Sequence, residues 1–325
     1  MAASASAVPA VEPVPDASPV LPASPASAAS RGAAPEGLHD ATLGWYAVAG
    51  RQLNFRTTND PYAVLVSEAM AQQTQIPRVT VAWEAWMRRF PTVEALAAAP
   101  VADVLRQWAG LGYNRRALNL HRAARAIVEE HGGRVPDTVE GLQSLPGVGP
   151  YTARAVAAIA FGRPVGAIDT NVRRVLGRIA AGGAEAMSSR AFQDLADAWV
   201  PAGRAPEWTH ALMDLGSRLC VPRTPRCADC PAISWCRYAA GERPPAGARQ
   251  ARGAHRQAFP ETTRWLRGRL LERAREAADG EWVALDRPIG SHPRDAVVAA
   301  ARALAADGLL ELRECATGPE ARLPA

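Results

Sequence analysis

A single acidic residue interrupts an apolar helical segment near position 68. Glu68 lies within YAVLVSEAMA, residues 62–71, and the polar run QQTQ follows at residues 72–75. A carboxylate that is removed from water is costly unless it is paired, hydrogen-bonded or protonated. Glu68 is therefore either an incidental residue of a surface turn or the functional centre of this segment.

Four cysteines lie within one short stretch. Cys220, Cys227, Cys230 and Cys236 are separated by six, two and five residues, so one loop carries four thiolate ligands for a compact soft-metal centre. Disulfide bonds are one alternative, but a cytosolic chain keeps its thiols reduced. Structural zinc is another, although zinc sites usually have two distant CxxC pairs and this loop has one. The pattern favours a 4Fe-4S cluster and leaves Cys315 as a spare thiol.

A Pro/Gly turn separates two helical patterns in LQSLPGVGPYTARAVAAIAFG, residues 142–162. It would leave the backbone N–H groups of Gly147, Val148 and Gly149 near a helix N-terminus, where the helix dipole and the small glycines favour a phosphate. An ordinary interhelical turn has a similar composition. The alternative that we favour is a helix-hairpin-helix that contacts the DNA backbone without reading its sequence.

Aromatic and basic residues stand together before this turn, in GLGYNRRALNLHRAARA, residues 110–126. Tyr113 follows a second glycine turn. Four arginines lie on or near the helix that follows: Arg115, Arg116, Arg122 and Arg125. Aromatic and cationic side chains in one place are typical of nucleic-acid surfaces and strengthen the prediction of DNA binding.

A second acidic residue stands at the start of a helical pattern in VGAIDTNVRRVLGRI, residues 165–179. Asp169 follows an apolar run and directly precedes the helix. One interpretation is that Asp169 or Asn171 is simply the N-cap. The other is that one carboxylate caps the helix and also faces a cleft.

Composition limits the kind of protein that carries these motifs. The chain has 325 residues, 48% of them apolar, which is enough for two or three domains. We find no apolar run of membrane-spanning length and no signal-peptide pattern, and we expect a cytoplasmic protein. The net charge is +5 and every basic residue is arginine, which modestly favours a polyanionic partner.

The elements that must position the motifs are mostly helical. Residues 38–238 have apolar side chains at three- and four-residue spacing between short Gly/Pro turns. Residues 1–36 are rich in Ala, Pro and Ser without a period and are predicted to be disordered. Residues 241–258 are predicted to be a linker, and residues 259–325 a small winged-helix-like module.

Six motifs between residues 54 and 236 resemble the MutY family, the adenine-specific branch of the iron–sulfur, helix-hairpin-helix DNA glycosylases. They stand in the family's order: NDPYAVLVSEAMAQQTQ, FPTVEALAAAP, GLGYNRRALNLH, LPGVGPYTARA, DTNVRRVLGR, and ALMDLGSRLC followed by the cysteine loop. The resemblance implies a mostly α, two-lobed helix-hairpin-helix glycosylase fold. A six-helix barrel domain would occupy residues 61–163, and a helical 4Fe-4S domain residues 37–60 and 164–240, with a catalytic cleft between them.

The resemblance also implies an activity, namely monofunctional base excision of adenine opposite 8-oxoguanine or guanine, which leaves an abasic site. Glu68, in its apolar helix, would have a raised pKa and protonate adenine N7. Asp169 would stay ionised and stabilise the oxocarbenium character of the sugar. Tyr151 and Asn171 would support this pair.

Position 151 separates two classes of glycosylase. Relatives similar to endonuclease III have a lysine there that forms a Schiff base with the sugar and cleaves the strand. This chain has Tyr151 and no lysine. We therefore expect water to be the nucleophile and strand scission to be at most weak.

Polar residues around the glycine turns match DNA-contacting positions of the family. Gln73 and Tyr113 match positions that wedge into the duplex beside the flipped nucleotide, which costs a few kcal/mol of unstacking. Arg56 and Thr74 match positions on the same surface. The alternative for each is an ordinary polar residue at a helix end. The expected partner is double-stranded DNA, bound by a monomer.

The chain departs from the family's pattern at five positions. The substituted residues are Phe55 for tryptophan, Ala71 for leucine, Asn114 for tyrosine, Thr170 for glycine, and His210 for Glu or Gln. The tail after the linker is too short for the Nudix-like domain that many relatives use to recognise 8-oxoguanine. Two other functions stay open: a thymine or uracil mismatch glycosylase on the same scaffold, and a non-enzymatic iron–sulfur DNA-binding regulator.

Overall fold

The computed structural model describes residues 32–183, 187–242 and 258–325. Most of the predicted disordered tail, residues 1–31, lies outside the described residues, and so do residues 243–257 of the predicted linker. Within the described ranges, no helix is long and apolar enough to cross a membrane.

The described residues form thirteen α-helices and one small sheet. The helices are α1 Leu38–Ala49, α2 Pro61–Ala71, α3 Ile76–Arg89, α4 Val93–Ala97, α5 Val101–Gln107, α6 Arg115–His131, α7 Val139–Gln143, α8 Pro150–Phe161, α9 Thr170–Ala181, α10 Ser189–Ala198, α11 Ala205–Arg218, α12 Thr263–Glu276 and α13 Arg294–Ala306. The strands are β1 Val283–Ala284, β2 Glu311–Cys315 and β3 Gly318–Arg322, in the antiparallel order β1-β3-β2. The prediction of a mostly α fold is confirmed.

One apolar core joins helices α2 to α8. Its centre contains Trp86, Phe90 and Trp108, and the Trp86 ring meets the Trp108 ring edge to face at 5.5 Å between centroids. The Tyr62 hydroxyl donates to the Phe90 carbonyl at 2.9 Å and accepts from the Trp86 indole at 3.2 Å. These contacts fix one face of α2, the helix that carries Glu68.

A second core joins helices on both sides of the first core in sequence. Leu38 of α1, Val175 of α9, Phe192 of α10 and Trp208 of α11 are fully or almost fully buried in it. Helix α11 packs against α1, α9 and α8, so the two cores meet where α8 lies against α11. The cysteine loop follows directly from α11.

Local capping explains where the two helices with acidic residues begin. Asp60 accepts hydrogen bonds from the Tyr62 and Ala63 N–H groups at 3.3 Å, and Pro61 occupies the first turn of α2. Asp169 caps α9 and accepts from the Val172 N–H at 2.6 Å. The N-cap interpretation of Asp169 is therefore correct, and it leaves the second carboxylate oxygen free for another contact.

The C-terminal module has the element order α12-β1-α13-β2-β3, and β2 and β3 pair antiparallel. It packs against the rest of the described chain, because Leu266 and Leu270 of α12 belong to the same core as Trp86. The Arg275 guanidinium donates to the Leu105 carbonyl at 2.8 Å and to Asn114 Oδ1 at 2.6 Å. The module is thus docked on helices α5 and α6.

We expect Trp86→Ala to lower the free energy of unfolding by about 3–5 kcal/mol, because a fully buried indole leaves a cavity. Val81→Ala on the same helix, where the side chain is 70% exposed, should change it by less than about 0.5 kcal/mol. Denaturant unfolding measures both values. Equal losses for the two variants would mean that α3 does not bury Trp86 in this core.

Candidate active site

A pocket of about 270 Å³ lies where the two cores meet. Four helices place polar side chains in it: α2 contributes Glu68, α8 Tyr151, α9 Asn171 and α11 His210, while Asp169 lies at the start of α9. Its volume is near the lower limit of the roughly 300–1,000 Å³ that small-ligand sites occupy. The residues that the sequence singled out for catalysis therefore share one cavity.

Glu68 is a largely enclosed acid in this pocket. Removal from water raises the pKa of Glu68 to about 7; the Tyr151 hydrogen bond and the charge of Arg56 oppose this rise, and the charge of Asp169 adds to it. Near neutral pH a large share of Glu68 is thus protonated. Glu68 can therefore donate a proton to a bound molecule, as expected from the position of this carboxyl group in an apolar helix.

Asp169 faces the same pocket from the N-terminal end of α9. Its Oδ1 accepts from the Val172 N–H at 2.6 Å and its Oδ2 accepts from the Asn171 amide at 2.9 Å. The start of a helix carries partial positive charge and favours a carboxylate anion. Asp169 therefore has both of the roles that the sequence left open, because it caps α9 and also faces the pocket.

Tyr151 and Asn171 each hold one member of the acidic pair. The Tyr151 hydroxyl hydrogen-bonds with Glu68, and burial, together with the nearby charges of Glu68 and Asp169, raises the pKa of Tyr151 well above its ordinary value. Tyr151 therefore stays a neutral hydrogen-bonding group. Asn171 donates to Asp169 and accepts from the Arg174 guanidinium at 2.8 Å. The two acids are thus fixed by different neighbours.

An ion-pair cluster that the sequence did not predict forms the wall behind the pocket. Asp214 of α11 is fully buried and lies 2.6 Å from the Arg51 guanidinium and 3.0 Å from that of Arg56. Burial opposes ionisation of Asp214, but the hydrogen bonds from Arg51 and the charge of Arg56 outweigh it and hold its pKa below the ordinary value. The signal that could have found Asp214 is a lone acid within the apolar motif ALMDLGSRLC.

Arg56 and His210 complete the electrostatics of this wall. Arg56, which was predicted to contact DNA, lines the pocket and is held by Asp214, with only 8% of its side chain exposed. Burial and the charge of Arg56 lower the pKa of His210 to about 3, so its imidazole is neutral. The pocket therefore presents two arginines, one neutral imidazole and two acids with different environments.

Gln73 and Tyr113 lie at a neighbouring cleft rather than in the Glu68 pocket. Their φ angles are +55° and +47°, and within the described ranges no other residue except glycine has a positive φ. Such backbone strain costs about 1–3 kcal/mol and is concentrated at functional sites. Thr74, also predicted to contact DNA, lines the Glu68 pocket instead.

Arg116 joins the two strained turns and is not part of an exposed basic face. Its guanidinium donates to the Ala69 carbonyl at 2.7 Å, to Thr74 Oγ1 at 3.0 Å and to the Gly112 carbonyl at 3.1 Å. Burial lowers the pKa of Arg116 to about 10. The end of α2 and the turn before α6 are therefore held together by one cation.

The turn between α7 and α8 has the predicted hairpin shape. Gly147 has φ +78°, and a Cβ there would lie 2.5 Å from that of Asn119. Gly149 is the N-cap of α8 and has open space around it, as an anion site requires. One detail of the prediction is wrong: the Val148 N–H already donates to the Leu145 carbonyl at 3.1 Å, so it is not available to a phosphate.

The four clustered cysteines line one small cavity beside α9: Cys220, Cys227, Cys230 and Cys236. All four are free thiols, which contradicts the disulfide alternative. In the described part of the chain, no three metal-binding side chains are arranged around a point that would hold a single ion. Four thiols that line one cavity are a donor set suited to a soft-metal centre.

The surroundings of the thiols also favour a cationic centre. Burial, with smaller contributions from the neighbouring thiols, raises the pKa of Cys230 to about 11, so a thiolate there needs a positive partner. The Arg178 guanidinium donates to Cys220 Sγ at 3.3 Å and to the Val221 carbonyl at 2.9 Å. Cys315 lies in β2, outside this cavity.

Comparison with known proteins agrees with this geometry. Residues 66–202 match the HhH-GPD superfamily base excision DNA repair protein family. The chain is 46% identical over 239 residues to adenine DNA glycosylase of Mycobacterium tuberculosis, which covers 72% of this chain and 77% of that protein. It is 44% identical over 238 residues to the adenine DNA glycosylase of Mycolicibacterium smegmatis, covering 72% and 79%.

Solved structures show the same fold. A thermostable thymine-DNA glycosylase matches with a TM-score of 0.59 and 30% identity, covering 62% of this chain and 94% of that chain. A trapped endonuclease III–DNA covalent intermediate matches with a TM-score of 0.54 and 24% identity, covering 62% and 93%. Both solved structures share the fold of this chain, and the chain belongs to the adenine DNA glycosylase family within the HhH-GPD superfamily.

Proposed function

We propose that this base-excision-repair glycosylase hydrolyses the N-glycosidic bond of adenine opposite 8-oxoguanine or guanine in double-stranded DNA and leaves an abasic site. The observation that carries this proposal is the shared pocket of Glu68 and Asp169, in which one acid has a raised pKa and the other caps a helix. Two carboxyl groups with different environments can divide acid and anion roles.

Glu68 acts on the leaving group. Adenine is a poor leaving group as an anion, so the neutral Glu68 carboxyl donates its proton to adenine N7 while the bond from the sugar C1′ to N9 breaks. The electron pair of that bond leaves with the base, which departs neutral. A general acid at this position contributes typically 10²–10⁴-fold to the rate.

Asp169 acts on the sugar. Bond cleavage leaves positive charge on the sugar ring, and the Asp169 carboxylate stabilises it from across the pocket. A water molecule then attacks C1′ and loses a proton to the Glu68 carboxylate, which restores the acid. Asn171 keeps the Asp169 oxygens oriented through its 2.9 Å hydrogen bond.

The absence of lysine makes the reaction end with base removal. Every one of the 37 basic side chains of the sequence is arginine, and position 151 is tyrosine. A side-chain Schiff base with the sugar is therefore not available. Strand cleavage by β-elimination should be weak or absent.

A thymine or uracil glycosylase is the second candidate, because a solved thymine-DNA glycosylase has the same fold at 30% identity. Glu68 argues against it, since a pyrimidine has no N7 to protonate. A non-enzymatic DNA-binding regulator would leave the Glu68 and Asp169 pairing without a role. Adenine excision is therefore the activity that the pocket supports best.

We further propose that Cys220, Cys227, Cys230 and Cys236 hold a 4Fe-4S cluster. When bound, the cluster would supply an electron-delocalised, positively charged core that binds four thiolates. Arg178 on α9 already donates to Cys220 and to the loop backbone, so a filled site would tie the loop to the helix that begins at Asp169. We propose no redox step for it.

The domain boundaries, the oligomeric state and the localisation are proposals as well. The cluster domain would comprise residues 37–60 and 164–240, and the hairpin-bearing barrel domain residues 61–163. Residues 259–325 would form the winged-helix-like module. We propose a cytoplasmic monomer, because one flipped nucleotide needs one pocket.

Glu68→Gln should reduce the single-turnover excision of adenine opposite 8-oxoguanine by at least about 100-fold. Asp169→Asn should reduce it by about 100- to 1,000-fold, because the developing cation loses its counter-charge. Glu130→Gln, an exposed glutamate on α6, is the matched control and should keep the wild-type rate. Parallel duplexes with A opposite G and with T or U opposite G identify the substrate. Undiminished base release by both pocket variants would refute the assigned roles.

The single-turnover rate should depend on pH through Glu68. Since the protonated form is the active one and the pKa is about 7, the rate should be highest below pH 7 and fall about tenfold per pH unit well above it. The rate profile from pH 5 to pH 9 measures this. A profile that is flat across neutral pH would contradict a proton-donating Glu68.

The same pKa shift has a consequence for stability. Because the pKa of Glu68 is higher in the folded protein than in the unfolded chain, folding favours the protonated carboxyl. The contribution of this group to the free energy of unfolding is fully present below pH 4.5, the pKa in the unfolded chain, and is lost as the pH rises through about 7. Glu68→Gln should therefore exceed the wild type in unfolding free energy by roughly 1–3 kcal/mol at pH 8 and match it near pH 4.

The purified protein should contain about four irons per chain and show broad visible absorbance. Cys227→Ser should lose most of the iron, whereas Cys315→Ser should keep it because Cys315 lies outside the cysteine cavity. Metal analysis of the three proteins measures this. A colourless wild-type protein with one zinc would contradict the cluster.

A further inference from the structure

A cleft in the described part of the chain is larger than the Glu68 pocket. It has a volume of about 1160 Å³ and lies between α12 of the C-terminal module and the turn at residues 109–114. Gln73 and Tyr113, the two residues with strained backbone, line it. The adenine chemistry of the Glu68 pocket gives this second cleft no role.

The cleft is strongly basic. Seven arginines and two glutamates of the described chain line it, and two of these arginines, Arg116 and Arg275, donate to backbone carbonyls. Arg267 of α12 and Arg115 of α6 share one carboxylate, that of Asp307, so this trio carries a net positive charge. Arg264 makes no ion pair within the described ranges, and its side chain is exposed. An excess of guanidinium groups in a concave surface favours a phosphate-rich ligand.

Arg264 also contacts the wedge residue directly. Its guanidinium carbon lies 4.3 Å from the centre of the Tyr113 ring, on the side of the cleft formed by α12. A cation over an aromatic face is attracted to it and holds the ring in place. The first turn of α12 therefore supports the side chain that is expected to enter the duplex.

Gly268 supplies the second observation. It lies inside α12, faces the cleft and is exposed, and a Cβ at this position would have no atom within 4 Å. Glycine inside a helix lowers helix stability relative to alanine, and no neighbour here requires its small size. Because Gly268 has no side chain, a ligand in the cleft can come close to the helix backbone beside Arg264, Arg267 and Arg269.

The position of α12 is fixed by the turn that carries Tyr113. Asn114, the next residue, accepts from the Arg275 guanidinium at 2.6 Å, and the same guanidinium donates to the Leu105 carbonyl at 2.8 Å. The Arg106 guanidinium in turn pairs with Asp279, which follows α12. Hydrogen bonds and an ion pair thus hold the basic face of α12 beside the wedge.

We propose that the first two turns of α12 form a second DNA-binding wall, in which Arg264 and Arg267 bind backbone phosphates of the duplex beside the Gln73–Tyr113 wedge and Gly268 lets the backbone approach the helix. The proposal rests on the proposed function, because it takes the same duplex as the substrate. It assigns the C-terminal module a direct part in DNA binding.

Equilibrium binding to a duplex with A opposite 8-oxoguanine tests the proposal, with Glu68→Gln as the background that prevents turnover. Arg264→Ala should weaken binding by roughly three- to tenfold and reduce the slope of log affinity against log salt by about one. Gly268→Glu should weaken binding by about tenfold or more, because it places an anion where a phosphate would lie. Its melting temperature should not fall, since the substitution favours the helix.

Two substitutions on α13, outside the cleft, are the matched controls. Arg302→Ala removes an exposed arginine and Ala299→Glu adds an exposed glutamate, and both should change affinity by less than about twofold. Unchanged affinity and salt slope in both cleft variants, in a protein that excises adenine, would overturn the second wall alone. Equal losses in the cleft and control variants would also overturn it. Failure of the wild type to excise adenine would instead overturn the proposed function.

Discussion

The site depends on the cost of placing one carboxyl group in an apolar wall. Glu68 lies on the side of α2 that faces the pocket, together with Val64, Ser67 and Ala71, and removal from water raises its pKa to about 7. Asp169 lies in the same pocket but accepts two hydrogen bonds at a helix N-terminus. The two acids are chemically identical groups, so only their surroundings can give one the role of proton donor and the other that of counter-ion.

The scaffold maintains this difference by joining two cores. Helix α2 belongs to the first core and α9 to the second, so the pocket exists only where the cores pack together. Asp214 stabilises that junction, because it binds Arg51 and Arg56 on the segment that connects α1 to α2. Loss of Asp214 would leave the nearly buried Arg56 without its counter-charge, which is strongly destabilising. The same Arg56 limits the rise in the pKa of Glu68, so the junction and the acid are coupled.

Local sequence predicted the features that depend on local contacts. The caps at Asp60 and Asp169 follow from hydrogen bonds within three residues, and the glycine turn at Gly147 follows from its backbone angle. Features that join distant segments were missed or misassigned. Asp214 meets Arg51 across 163 positions, and Arg275 meets Leu105 across 170, so no window of sequence contains either pair. Arg116 was assigned to a DNA-facing surface, but it lies inward because carbonyl groups of two turns converge on it.

The most direct test of the central claim is a carbon-13 NMR titration of the Glu68 carboxyl group in glutamate-labelled protein, assigned by its absence in Glu68→Gln. Our account predicts a titration midpoint near 7 for Glu68, well above the ordinary glutamate value of 4.5. A midpoint at or below about 5 would mean that the group is ionised at neutral pH and cannot serve as the proton donor.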